Sequence, residues 1–282
     1  MTTSPTTKSR FFRSKWKARK FLSTLPELPE VETVVRSLQS IRGRRILNTE
    51  VRQKRVVLGE LDGLAGRRIR AITRRGKFIV LELDRGFLLV HLGMTGKLLV
   101  DGELSKHTHV IFTLDHGILL YTDSRQFGRV EYSAELPDRV VKLGPEPLSV
   151  TFDEFVATLR ARKAQMKALL LNQKFLAGIG NIYADEALFR AGIHPRANSA
   201  SISKPRARKL YDAIRDVLQA AIRAKGSSIS DYVDSEGKRG NFQHEHLVYQ
   251  KHGEPCANCG SPIRRTLVSQ RGTHFCSKCQ KR

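Results

Sequence analysis

Cysteine is scarce in this chain of 282 residues: there are four, and none occurs before position 256. A cluster confined to one end excludes a disulfide framework spread through the body and leaves a local metal site. Long apolar runs are also missing. None approaches the roughly 18 residues that a spanning helix needs, so no membrane span is expected. The basic N-terminus lacks an apolar h-region, which excludes a secretory signal. Acidic residues are absent from the first 25 positions, which hold seven Lys/Arg, many Ser and Thr, and no apolar period. Such a stretch cannot build a core and reads as disordered or removed.

Acidic residues are short overall. Fifty Lys/Arg against 27 Asp/Glu give +23, of which +7 lies in residues 1–25 and +16 in the rest. That balance calls for a polyanionic partner, nucleic acid first and an anionic membrane surface second. The apolar content of 40% suffices for two packed units. Val31, Val34, Val35, Leu38 and Ile41 recur at helical spacing, which predicts a helix over 29–42. Pro29 suits its first position, and Glu30 and Glu32 suit the positive end of its dipole. The preceding Pro26-Glu27 pair has no such explanation. From 44 to 135, short apolar runs punctuated by Gly, Asp and Arg predict six to eight strands in an antiparallel sandwich or barrel. GPEPLS (144–149) marks a boundary, and 151–226 reads as helices. Residues 226–253 read as a long mobile loop of functional character.

Cys256-x₂-Cys259, sixteen residues, then Cys276-x₂-Cys279 is a four-cysteine zinc spacing. Four thiolates close the coordination shell, so the metal is expected to be structural. The ribbon between the pairs would hold Arg271 rigidly. Gly178, Gly180 and Asn181 precede a helix, and open N–H groups there favour a phosphate contact in so basic a chain. The bland alternative is a helix connection capped by Asn181. Tyr183, Leu188 and Phe189 read as core.

PELPEVET (26–33), RRGKF (74–78), HLGMTG (91–96), DSRQFG (123–128), LGPEPL (143–148), GIGNIYADEALF (178–189) and the four-cysteine finger occur in one order. Together, over 26–282, they resemble the bacterial formamidopyrimidine-DNA glycosylase family, which excises oxidised purines from DNA. The resemblance implies an α+β fold: a leading helix and antiparallel β-sandwich (26–150), then a helix–two-turns–helix module (151–253). A zinc finger with one structural Zn²⁺ (254–282) follows. It implies double-stranded DNA carrying oxidised purines as partner, a monomer, and a bacterial, nucleoid-associated cytoplasmic enzyme. Import of a processed form into an organelle is the lesser alternative.

The same resemblance implies roles. Pro26 matches an N-terminal proline whose amine forms a Schiff base, and Glu27 matches the general acid. Lys77 and Arg271 match residues of β- and δ-elimination. His107, Arg125, Lys163 and Asn181 match DNA contacts. Met94, Arg125 and Phe127 match the side chains that fill the gap left by an everted base. Residues 225–243 match a lid over that base. The chain departs from the pattern where Pro26 is internal, because an amide nitrogen is no nucleophile. The expectation is an active form that begins at Pro26, either through a start codon read internally as Leu25 or through removal of a presequence. The competing readings are an endonuclease VIII-like enzyme for oxidised pyrimidines and a non-catalytic binder of damaged DNA.

Overall fold

The computed structural model describes residues 25–229 and 232–282. The basic stretch expected to be disordered or removed lies, apart from Leu25, outside the described residues. The first helix, α1 (Leu28–Ser37), continues as a 3₁₀ turn over Leu38–Ile41. Its apolar stripe is shared between two cores. Val31, Val34, Val35, Leu38 and Ile41 are buried in the sandwich, whereas Leu28 is buried in the helical module. At about 1.5–3 kcal/mol per fully buried aliphatic side chain, that division ties the N-terminus to both halves.

The strands are β1 (Ile46–Val51), β2 (Val57–Leu58), β3 (Ile69–Arg75), β4 (Phe78–Leu83), β5 (Phe87–His91), β6 (Gly96–Val100), β7 (Thr108–Leu114), β8 (Ile118–Asp123) and β9 (Arg129–Ser133). One sheet has the order β1-β7-β8-β6 and the other β2-β9-β5-β4-β3. Ile79, Leu81 and Val90 of one sheet meet Leu98, Val110 and Phe112 of the other in one core, which makes a sandwich. It departs from a purely antiparallel one, since β2 pairs with β9 in parallel over two residues. Sequence periodicity also passed over β1 and β2. β1 is an edge strand, ILNTEV, with only Ile46 buried, so it carries no clear alternation.

The helices are α2 (Asp138–Val141), α3 (Phe152–Arg160), α4 (Met166–Leu171), α5 (Asn181–Arg190) and α6 (Lys204–Arg223). Thr151 and Glu154 close a reciprocal cap on α3. α6 buries Leu210, Ile214, Val217, Leu218 and Ala221 in the core it shares with α4 and α5. The finger adds a hairpin of β10 (Arg264–Val268) and β11 (Arg271–Phe275).

The described part of 225–243 differs from the expected mobile loop. Tyr232 is buried in the sandwich core, the Ser235 carbonyl accepts from the Val100 amide, and Ser235 Oγ donates to Ser37 Oγ at 2.7 Å. Its apolar and hydroxyl groups anchor to α1 and β6, and weak periodicity concealed that anchoring because the contacts are single residues rather than a face.

Candidate active site

The turn Gly178-Ile179-Gly180 receives the N-terminal segment. The Leu28 amide donates to the Gly178 carbonyl at 3.0 Å, with Gly178 at φ +90°. The buried Glu27 carboxylate then accepts from the amides of Gly180 (2.8 Å), Ile182 (2.8 Å) and Tyr183 (3.3 Å). This changes the phosphate reading of the glycine turn: these N–H groups of α5 are taken by the chain's own carboxylate. The physics is the same, an anion at the positive end of a helix, but the anion is internal. Gly180 rather than Asn181 is the N-cap.

Gly180 is required for another reason. A Cβ there would lie 2.6 Å from Lys77 Nζ and 2.4 Å from the Glu27 carboxyl carbon. Acid and amine therefore flank one bare backbone position. Lys77 follows Gly76 in the tight turn between β3 and β4, which Glu146 of LGPEPL clamps. Its carboxylate accepts from the Gly76 amide (2.7 Å) and pairs with Arg74 (2.6 Å) and Arg75 (3.0 Å). Burial raises the Glu27 pKa, opposed by Lys77 and the three amides. Burial lowers the Lys77 pKa, opposed by Glu27 and Glu30 and aided by Arg271. Both groups are pushed toward their neutral forms, the condition for proton exchange near neutral pH.

These residues line a cavity of about 430 Å³, with Leu25 and Glu27 on either side of the buried Pro26. Met94, His91, Asn181, Tyr249 and Arg271 complete its walls. Burial brings the His91 pKa down to about 4, so a neutral imidazole faces Lys77, and its Nδ1 accepts from the Gly93 amide. Asn181 donates to the Gly272 carbonyl at 3.1 Å, while its Oδ1 has no partner among the described residues.

Beside the cavity, the loops HLGMTG and DSRQFG are stitched together by Asp123. This buried carboxylate accepts from Thr95 Oγ1 (2.5 Å), Tyr121 Oη (3.1 Å) and the amides of Arg125 (3.2 Å) and Gly128 (2.8 Å). The result is a projecting group: Arg125 lies 4.9 Å over the ring of Phe127, which is 49% exposed. An apolar ring presented to solvent under a guanidinium is not part of the core.

The four Sγ atoms of Cys256, Cys259, Cys276 and Cys279 lie within 4.8 Å of one another, with contacts of 3.5 and 3.9 Å. Zinc–sulfur bonds of about 2.3 Å in a tetrahedron place sulfurs roughly 3.8 Å apart, so the donor set fits one closed, structural Zn²⁺.

Three family models cover the chain in order: the formamidopyrimidine-DNA glycosylase N-terminal domain over 25–130, its H2TH domain over 143–233, and a zinc finger found in FPG and IleRS over 253–282. The formamidopyrimidine-DNA glycosylase of Solibacter usitatus is 59% identical, over 92% of this chain and 100% of that protein. That of Heliobacterium modesticaldum is 47% identical over 91% and 100%. The chain belongs to the formamidopyrimidine-DNA glycosylase family. Among solved members, the MutM (FPG) protein of Thermus thermophilus superimposes with a TM-score of 0.84 at 41% identity, over 90% of this chain and 98% of that one. A Lactococcus lactis FPG variant in complex with Fapy-dG-containing DNA gives 0.84 at 39% identity, over 91% and 100%. Membership makes the chain a zinc-finger, DNA-binding enzyme of base excision repair, in a family of glycosylase/AP lyases.

Of the residues expected to match family sites, Glu27, Lys77, Met94, Asn181 and Arg271 converge on the cavity, with Pro26 flanked by two of its lining residues. Arg125 and Phe127 stand together on the β8–β9 loop, at the level of the Met94 turn. His107, half-buried before β7, and Lys163, exposed between α3 and α4, lie outside the cavity wall. Sequence reasoning missed Asp123 and His91, and read Glu30 as a helix-start residue that could also lie near the site. Glu30 is buried, and its carboxylate accepts from the Glu27 amide (2.9 Å), Tyr183 Oη (2.5 Å) and the Ser227 amide (2.7 Å). A carboxylate closing an apolar strand, as in ILLYTD, is the signal that could have found Asp123.

Proposed function

We propose that this enzyme is a bifunctional glycosylase/AP lyase that removes oxidised purines, 8-oxoguanine and formamidopyrimidines, from double-stranded DNA through a Schiff base on Pro26. The observation that carries the reading is that Glu27 and Lys77 flank Gly180, beside Pro26 and in a cavity that Arg271 closes.

In this reading the working form begins at Pro26. A free prolyl amine has a pKa near ~8, so part of it is neutral at pH 7. It attacks C1′ of the damaged nucleotide, the glycosidic bond breaks, and the base leaves with a proton. Glu27, whose pKa burial raises, supplies that proton to the base or the sugar ring. The C1′–O4′ bond then opens, O4′ takes up a proton, and the resulting iminium acidifies C2′. Loss of that proton breaks the C3′–O bond, and loss of the C4′ proton then breaks the C5′–O bond; water finally releases the amine. Lys77, with its lowered pKa, suits the first proton removal. Arg271 cannot act as a base, since guanidinium stays charged, so it faces the departing phosphate. Met94, Arg125 and Phe127 fill the gap of the everted nucleotide, which offsets an extrusion cost of a few kcal/mol. His107 and Lys163 hold flanking phosphates, and 225–243 covers the base. The zinc-bound finger holds Arg271, and the protein acts as a monomer.

Borohydride trapping tests this with the chain beginning at Pro26. A covalent adduct on an 8-oxoguanine duplex is expected, and none is expected from the chain whose Pro26 remains peptide-bonded. An adduct of equal yield from the full chain would exclude Pro26 as nucleophile. Faster excision from a duplex with an oxidised pyrimidine would favour the endonuclease VIII-like reading. Damage-specific binding without any adduct would favour the non-catalytic one.

A further inference from the structure

Two fully buried charged residues stand behind the finger. Lys167 on α4 and Asp185 on α5 are both 0% exposed and pair at 2.7 Å. A buried pair of this kind seldom adds net stability over apolar side chains of similar volume, so its role is to be sought in what it orients. Both partners reach the strand that follows Arg271. Lys167 Nζ donates to the Gly272 carbonyl at 3.0 Å, and Asp185 Oδ2 accepts from the His274 amide at 2.8 Å. Asn181 donates to the same Gly272 carbonyl, so three side chains of the helical module fix two backbone groups of β11. The neighbouring strand β10 pairs with β11 and is itself held by Arg196 of the module, which donates to Thr266 Oγ1 (2.9 Å) and to the Leu267 carbonyl (3.1 Å); Val268 faces Arg271 across a two-residue turn. The position of Arg271 is therefore set from behind, by the helical module, and not by the metal alone.

We propose that Lys167 and Asp185 are positioning residues for Arg271, and that they act on the second elimination rather than on base excision. This rests on the proposed function above. In that step a C4′ proton is lost, the C5′–O bond breaks, and its electron pair stays on the phosphate oxygen that the guanidinium faces. The first steps use Pro26, Glu27 and Lys77, which are held by α1, the glycine turn and Glu146. The two sets of supports share no hydrogen bond; the charge of Lys167 also acts on Glu27, a coupling that Asp185→Asn leaves in place.

Lys167→Met keeps length and apolar bulk but removes the donor. Asp185→Asn keeps volume and an acceptor for the His274 amide but removes the charge. Both are to be made in the zinc-loaded chain beginning at Pro26. Single-turnover cleavage of an 8-oxoguanine duplex is then resolved into β- and β,δ-elimination products. Displacing a charged group by about 1 Å costs on the order of a hundredfold, so Lys167→Met is expected to slow the second elimination by ten- to hundredfold. Zinc content should change little, and base excision and borohydride trapping should fall by a smaller factor than the second elimination. Asp185→Asn should shift the product ratio in the same direction by a smaller factor, which keeps the test intact if Lys167→Met folds poorly. An unchanged ratio in Asp185→Asn overturns the inference, as does an equal slowing of excision and second elimination. A wild-type protein that leaves the lesion in place overturns the proposed function and this inference with it.

Discussion

Gly180 concentrates the site's constraints in one residue. Any Cβ there would press on both the Glu27 carboxyl and the Lys77 amine. Gly180→Ala should cost about 1–3 kcal/mol of stability through overpacking and lower excision on the order of a hundredfold by parting acid from amine. Thermal melting and single-turnover excision measure the two effects, and wild-type excision in this variant would refute the close-approach argument. Glu30 makes a different prediction. Burial, with the neighbouring Glu27 adding to it, moves its pKa from 4.5 to about 7. The folded value lies above the unfolded one, so its stabilising contribution is complete below pH 4.5 and is lost as pH rises through about 7. Glu30→Gln should therefore flatten the dependence of melting temperature on pH between those values. A residual slope of the same sign remains, because the Glu27 pKa is also raised. The variant should also be weaker at every pH by about 1–3 kcal/mol, since three donors converge on the carboxylate and an amide can accept only part of them. A pH slope identical to wild type would sink the assignment. When protonated, Glu30 can donate to Tyr183 Oη, which lies 3.4 Å from Ser227 Oγ, itself 3.1 Å from His246 Nε2. Burial brings the His246 pKa down to about 4, so the relay ends on a neutral acceptor.

At the scale of elements, the finger is a hairpin that carries strain at its tip. Ser269 and Gln270 both have positive φ, 48° and 59°, between Val268 and Arg271. A two-residue turn of this kind favours Asn-Gly, and a left-handed non-glycine residue costs about 1 kcal/mol or more. Gln270→Gly should stabilise the finger by about 1 kcal/mol, seen as greater resistance of the zinc to a chelator; equal or weaker resistance would count against the strain. Full removal of the metal should unfold the finger and abolish the second elimination, while circular dichroism retains most of its signal. The sandwich and helical module have cores of their own, and the finger's core is small: Phe189, Val248, Cys256, Ile263 and Cys276. The cysteine spacing, the helix at Pro29 and the central strands were legible because each repeats a period or a fixed interval. The supports of the site were not. Glu27 against Gly180 is a contact 153 positions apart, Glu30 reads locally as an ordinary first-turn acid, and Lys167 and Asp185 sit in helices that would read the same with solvent-facing charges. Local pattern carries the element; it does not carry which buried charge meets which backbone group.

At the scale of the molecule, the chain combines a large positive charge with, in the proposed mechanism, a nucleophile that must be free of its predecessor. Charge and chemistry therefore make separable demands on the same 25 residues. Those residues carry +7 of the +23, and removing them leaves +16 on the body that holds the cavity and the projecting Phe127. Each phosphate neutralised by a lysine or arginine adds about 0.9 to the slope of log affinity against log salt. The full chain should bind duplex DNA with a steeper slope and more tightly at low salt than the chain beginning at Pro26. The extra affinity should be indifferent to damage, because contacts to backbone phosphate read no base edge. Excision should run the other way, since only the shorter chain presents a secondary amine to C1′. Titrations of lesion-bearing and undamaged duplexes from low to physiological salt, made with both chains alongside trapping, measure the two demands together. Equal slopes would show that the seven cations make no phosphate contact, and would confine the electrostatic footprint to the body around the cavity.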